Sequence, residues 1–120
     1  LSEPRYLDAA EATLKAGFDT LQNSPLAHAG MATALAEWLS PPLLVVLRGS
    51  EKALARVEQA RSDYAPDLLV FPVPSEAQGL PAALQEKEPS AGIRAYPCRG
   101  MACSPPREGM EAVLELLGAD

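Results

Sequence analysis

Two cysteines near the C-terminus are the residues whose type and spacing most directly suggest chemistry. Cys98 and Cys103 have a C-x4-C spacing, which is neither the C-x-x-C of thiol–disulfide oxidoreductases nor a standard zinc knuckle. A tetrahedral zinc site would need two further ligands, and His28 is the single histidine, so we expect no metal site within this chain. Gly100 could fold the loop enough to bring the two Cα atoms within the ~4.4–6.8 Å that a disulfide needs.

Three interpretations of this cysteine pair remain open. The two residues could be buried structural thiols, a redox-sensitive pair, or a contact to another part of a larger protein. The first is favoured, with both thiols reduced in the cell. If one of them is reactive it should be Cys103, because it comes just before a predicted helix N-terminus, which favours its thiolate.

A second candidate site is the turn Gly49-Ser50, which lies between a buried apolar run and a helical pattern. Free backbone N–H groups at such a turn can bind an anion. An ordinary turn with Ser50 as helix N-cap explains the same residues more simply. The sequence contains neither G-x-G-x-x-G nor G-x-x-x-x-G-K-[ST], and Glu51 would repel a phosphate. We therefore expect no cofactor and no tight nucleotide binding.

No other side chains form a pattern typical of catalysis. His28 is surrounded by alanines, which favours a surface or packing role. The remaining acidic residues of the C-terminal half look like solvated surface: Glu76, Glu86, Glu88, Glu108, Glu111 and Glu115. No nucleophile, base and orienting group come together, so we expect the isolated chain to have no catalytic residues and no turnover.

Charge and hydropathy narrow the range of partners. The formal net charge is −6 and no basic cluster occurs, which argues against binding to nucleic acid. No run of apolar residues is long enough to span a membrane, and the first residues are not those of a signal peptide. These features predict a cytoplasmic α/β protein that contacts neither nucleic acid nor membrane.

The hydrophobic periodicity of the sequence predicts the elements that position these residues. They form an N-terminal αα-hairpin (1–40) and a small α/β domain (41–120). The hairpin helices are expected from about Glu3 to Gln22 and from Pro25 to about Leu39, with Ser24 as N-cap and Trp38 in the core. Three short apolar runs predict a three-stranded, mostly parallel sheet: Leu43–Leu47 (central), Leu68–Phe71 and Ile93–Tyr96. Two helices should cover it: Glu51–Tyr64, capped by Ser50, and Glu108–Leu117, capped by Ser104-Pro105-Pro106.

The segment Ala95–Pro106 resembles the signature A-Y-x-C-x-x-x-x-C-x-x-P near the C-terminus of the YyaL-type, spermatogenesis-associated thioredoxin-like family. It departs from that pattern at Pro97, where a β-branched residue is usual, and at Met101, where an aromatic one is usual. The family combines a thioredoxin-like domain, an (α/α)6 toroid similar to N-acylglucosamine 2-epimerases, and a small C-terminal α/β segment. The resemblance implies that residues 1–40 end the toroid.

The resemblance also implies that this chain is a non-catalytic accessory domain whose partners are the upstream domains of the full-length protein. Any activity on carbohydrate or in thiol redox would belong to that longer protein. The alternative is a small redox or ligand-binding module that uses Cys98 and Cys103 or the Gly49-Ser50 turn. A homo-oligomer is a further option for either interpretation.

Overall fold

A computed structural model describes residues 4–61 and 65–118, and the chain divides into two compact units, Leu1–Pro41 and Pro42–Asp120. The first unit is a helix hairpin made of α1 (Pro4–Asn23) and α2 (Ala29–Leu39). Leu21 of α1 is buried, as the helical periodicity predicts. Gly17 allows α1 to approach α2 closely, because a Cβ there would lie 2.5 Å from the sulfur of Met31.

Two details of this hairpin differ from the expectation. The second helix begins at Ala29, with His28 as its N-cap, and not directly after Ser24. Residues 25–28 form a turn instead, in which the N–H of His28 donates to the carbonyl of Pro25. Trp38 is 37% exposed, so the prediction that it lies in the core is wrong.

The second unit contains a mixed five-stranded sheet with the order β2-β1-β3-β4, in which β5 also pairs with β3. The strands are β1 (Leu43–Gly49), β2 (Leu68–Pro74), β3 (Ile93–Arg99), β4 (Ala102–Cys103) and β5 (Arg107–Glu108). The central position of β1 between β2 and β3 is confirmed. The prediction of a mostly parallel, three-stranded sheet is wrong, because β3 is antiparallel to β1 and two further short strands pair with it. Only the short helix α4 (Ala82–Gln85) lies between β2 and β3, whereas parallel strands are usually joined by a longer crossover helix.

Strand β2 extends past the predicted end at Phe71 and includes Pro72 and Pro74, although proline usually interrupts a sheet. Among the described strands β2 pairs with β1 alone, so the backbone groups on its other side form no hydrogen bonds to a neighbouring strand. Proline, which lacks an N–H, is tolerated on that side. Leu69 and Phe71 lie on the same face of this strand and are 44% and 48% exposed, although so apolar a run favours burial.

Helices α3 (Glu51–Ala60) and α5 (Met110–Leu116) cover one face of the sheet. The Oγ of Ser50 accepts a hydrogen bond from the N–H of Ala53, which confirms the predicted cap of α3. The predicted end of this helix at Tyr64 lies outside the described residues. The hydrophobic core joins both helices to alternate residues of β1 and β3: Val45, Leu47, Leu54, Val57, Ile93, Ala95, Val113 and Leu117.

The segment between β3 and α5 is more ordered than a loop. β4 and β5 lie along the same edge of β3, and their registers against it differ by one residue, so a bulge that contains Pro105 and Pro106 separates them. Helix α5 therefore starts after Gly109, not after the predicted Ser104-Pro105-Pro106 cap. In the part of the chain that the structure describes, none of the helices combines the length and apolarity needed to cross a bilayer.

Candidate functional site

The face of the sheet opposite α3 and α5, which we call the open face, carries the two cysteines and two arginines. Successive side chains of a strand point to opposite faces, so Leu44, Val46 and Arg48 lie opposite the buried Val45 and Leu47. The strand registers place these residues in three rows: Leu69–Leu44–Cys98, Phe71–Val46–Tyr96 and Val73–Arg48–Arg94. The edge strands extend the first row to Cys103 and the third to Glu108.

The connection between β2 and β3 covers the third row of the open face. Nη2 of Arg48 donates to the carbonyl of Ser75 at 3.3 Å, and the Ser75 hydroxyl donates to the carbonyl of Ser90 at 2.7 Å. The Tyr96 hydroxyl donates to the carbonyl of Glu88 at 3.0 Å. Arg48 and Val73 of the third row are buried, and so is Val46 of the second. The first row and Phe71 keep access to solvent.

Cys98 and Cys103 form a disulfide across the first row, with their Cα atoms 3.9 Å apart. They lie directly opposite each other on β3 and β4, at a non-hydrogen-bonded pair, since the N–H of Ser104 donates to the carbonyl of Pro97. The turn of this hairpin is Gly100-Met101, and the φ of 57° at Gly100 is the left-handed value that such two-residue turns require.

This arrangement corrects the favoured interpretation of the two cysteines. They are bonded and not reduced, and they are not buried, because Cys103 is exposed and Cys98 is partly exposed. The reason given for a reactive Cys103 also fails, since β5 and Gly109 separate it from the first turn of α5. The residues of the expected loop pair as a hairpin because β3 continues through Pro97 and Cys98 along β1. Whether the pair serves redox chemistry remains a prediction.

Reducing the disulfide should lower the free energy of unfolding of the second unit by about 2 kcal/mol. The bond links residues only five positions apart, so it removes little entropy from the unfolded chain. Urea unfolding with and without a phosphine reductant measures the difference. The variant in which both Cys98 and Cys103 are replaced by serine is the control, and it should not respond to the reductant. Equal stability of the oxidised and reduced wild type would contradict this prediction.

Two arginines face each other on the open face in contrasting surroundings. Arg94 forms ion pairs with Glu88, at 3.0 Å, and with Glu108, and it also donates to the Tyr96 hydroxyl. The hydrogen bonds to Tyr96 and Glu108 raise the pKa of Arg94 above its ordinary value, so it is a fixed positive charge and not an acid. Arg48, its register partner, is 3% exposed, and its Nε and Nη1 atoms have no hydrogen-bond partner among the described residues.

The Gly49-Ser50 turn has its main polar groups engaged by the fold. The N–H of Ser50 donates to the carbonyl of Gly92, and the Gly49 carbonyl accepts from the N–H of Ser75. A side chain at Gly49 has no room, because a Cβ would lie 2.7 Å from the Gly92 carbonyl oxygen. Close packing against Gly92 therefore explains why a glycine occupies position 49. Anion binding at this turn stays an untested alternative, and these contacts do not favour it.

The structure brings only some of the predicted site residues together. The cysteines are bonded at one edge of the open face, whereas the Gly49-Ser50 turn lies beyond the other end of β1. His28 belongs to the first unit, and the described residues contain no group of three potential metal ligands. Sequence reasoning missed Arg48 and Arg94. The alternation of β1 could have placed Arg48 opposite the core. That no described carboxylate pairs with it depends on distant segments.

The fold and the site together define a two-layer α/β unit with a disulfide-closed hairpin at one edge of its sheet. Comparison with known proteins finds no matching family model, no similar curated protein and no similar solved structure. Assignments beyond this class therefore depend on the geometry and on the resemblance of residues 95–106.

Proposed function

We propose that this chain is a non-catalytic accessory segment of a larger protein, and that the uncovered part of its open face packs against the upstream domains. The observation that carries the proposal is the pair Leu69 and Phe71, which are 44% and 48% exposed on adjacent rows of one sheet face. Leu44 lies beside Leu69 and continues this apolar surface towards the disulfide. Contiguous apolar surface of this kind is typical of an interaction site.

The polar groups of the described residues support the same proposal. Two contacts hold the connection between β2 and β3 against β3: the ion pair of Arg94 with Glu88 and the hydrogen bond from Tyr96 to the carbonyl of Glu88. The ion pair of Arg94 with Glu108 joins β5 to β3. They form a structural network around Arg94, whose raised pKa keeps it charged. The resemblance of residues 95–106 to the YyaL-type family supplies the occupant of the apolar surface, namely the toroid and the thioredoxin-like domain.

Site-specific photo-crosslinking in the full-length polypeptide tests this proposal. A photoreactive phenylalanine analogue at Phe71 should form crosslinks to residues upstream of this chain within the same molecule. The same analogue at Glu58 is the matched control, because Glu58 is exposed on α3 and this helix covers the opposite face of the sheet. It should give no such crosslink.

Other outcomes would overturn the proposal. Crosslinks from Phe71 that join two copies of the chain would assign the open face to a homo-oligomer. Equal crosslinking from Phe71 and Glu58, or none from Phe71, would show that the apolar surface is not a specific contact within the larger protein.

A second candidate function is a small redox module, and the bonded state of Cys98 and Cys103 favours it. The disulfide lies at an exposed edge and not inside a core, which leaves at least Cys103 open to thiols. A disulfide between near neighbours contributes only about 2 kcal/mol to stability, less than one that closes a long loop, so we expect the sheet to remain folded when the bond is reduced.

A further inference from the structure

The position of the disulfide within the sheet determines from which side a thiol can reach each sulfur. Thiol–disulfide exchange is a displacement in which the attacking thiolate approaches one sulfur in line with the bond that breaks. Because Cys98 and Cys103 lie directly opposite each other, the S–S bond bridges β3 and β4 across the strand direction. The two lines of approach therefore come from opposite sides of this strand pair.

The two approaches meet very different surroundings. An approach to Sγ of Cys98 comes from the side of β1, where Leu44 is the register partner of Cys98 on the same face. An approach to Sγ of Cys103 comes from beyond β4, which forms the edge of the sheet in the described part of the chain. Every residue from 101 to 109 is exposed, and Met101 is 80% exposed, so the second approach is open.

We propose that the disulfide is a one-sided exchange site for external dithiols, in which Cys103 is the sulfur attacked and Cys98 the sulfur released. This inference rests on the second candidate function. The incoming thiolate forms a bond to Sγ of Cys103, the Cys98–Cys103 bond breaks, and its electron pair leaves on Sγ of Cys98. The Cys98 thiolate then takes a proton from solvent. The second thiolate of the dithiol attacks its own mixed disulfide, which releases Cys103 as a thiolate and oxidises the dithiol.

The spacing of arginines in this segment allows the attacked sulfur to be identified directly. Trypsin cleaves after Arg94, Arg99 and Arg107, which places the two cysteines in separate peptides, 95–99 and 100–107. The oxidised chain is mixed briefly with glutathione, a monothiol that stops at the mixed disulfide. The reaction is quenched with acid, free thiols are alkylated, and the two peptides are compared by mass spectrometry. Glutathione should be found on peptide 100–107 in roughly tenfold excess over peptide 95–99.

Substitution of Leu44 tests the cause of this preference. Leu44→Ala removes the side chain that blocks the approach to Cys98, so it should raise the share of glutathione on peptide 95–99. Val46→Ala is the matched control, because Val46 lies on the same strand and face but in the row of Tyr96. It should leave the distribution unchanged. The wild-type distribution decides the proposal even if either variant fails to fold.

The possible results separate this inference from the function on which it rests. Purified protein without the disulfide, or a disulfide that glutathione does not open, would contradict the redox candidate itself. A disulfide that opens with glutathione equally on both peptides, or mainly on peptide 95–99, would overturn the assignment of Cys103 alone.

Discussion

Replacing Leu47 by alanine should lower the free energy of unfolding of the second unit by about 2–5 kcal/mol. Leu47 is 1% exposed and belongs to the core cluster that joins β1 to α3 and α5. The substitution removes three buried carbon atoms and leaves a cavity that the surrounding residues fill only in part. For a small domain this loss is a large part of the total stability.

The control for this prediction is Leu69→Ala on the neighbouring strand. Leu69 is 44% exposed, so its truncation should cost less than about 1 kcal/mol. Urea unfolding followed by circular dichroism measures both variants. Fluorescence of Trp38, the single tryptophan, reports the first unit separately. Similar losses for the two leucines would contradict the placement of the core on the helix-covered face.

Replacing Arg48 by methionine should stabilise the second unit by about 1–4 kcal/mol. Arg48 is 3% exposed. Within the described ranges of the chain, its Nη2 donates to the carbonyl of Ser75, whereas Nε and Nη1 have no partner. A buried charge without a carboxylate carries a desolvation cost that an apolar side chain of similar length avoids. Methionine can fill the same space because its side chain is flexible.

The matched comparison is Arg94→Met at the register partner on β3. Arg94 is paired with Glu88 and Glu108, so its replacement should destabilise the unit, opposite in sign to Arg48→Met. Both free energies come from the same urea titration. A loss of stability in Arg48→Met as well would show that the guanidinium of Arg48 has a stabilising partner, and the prediction would be wrong.

Local sequence patterns were sufficient for the elements that pack with a clear period. The apolar run of β1 and the Ser50 cap of α3 both lie where these patterns predict. Each of these features depends on residues within a few positions of one another. The central place of β1 could also be predicted, because the most continuously apolar strand is the one that needs neighbours on both sides.

Other features depend on which distant segments meet, and the sequence alone could not determine them. Ile93–Tyr96 has the same pattern in a parallel and an antiparallel strand, and only its pairing with β1 decided the direction. Pro72 and Pro74 favour the end of a strand, yet β2 includes both of them. At the edge of the sheet their missing N–H groups interrupt no hydrogen-bond ladder.

The candidate site shows the same division. The sequence determined that Cys98 and Cys103 are the one thiol pair and that a glycine lies between them. Tertiary structure decided that they oppose each other across a hairpin at the sheet edge, beside Leu44. It also decided that Arg94 pairs with two carboxylates, whereas Arg48 pairs with none in the part of the chain that the structure describes. The physical reason is that register and strand order are set by burial of one sheet face against the helices, a non-local free energy that short-range patterns do not contain.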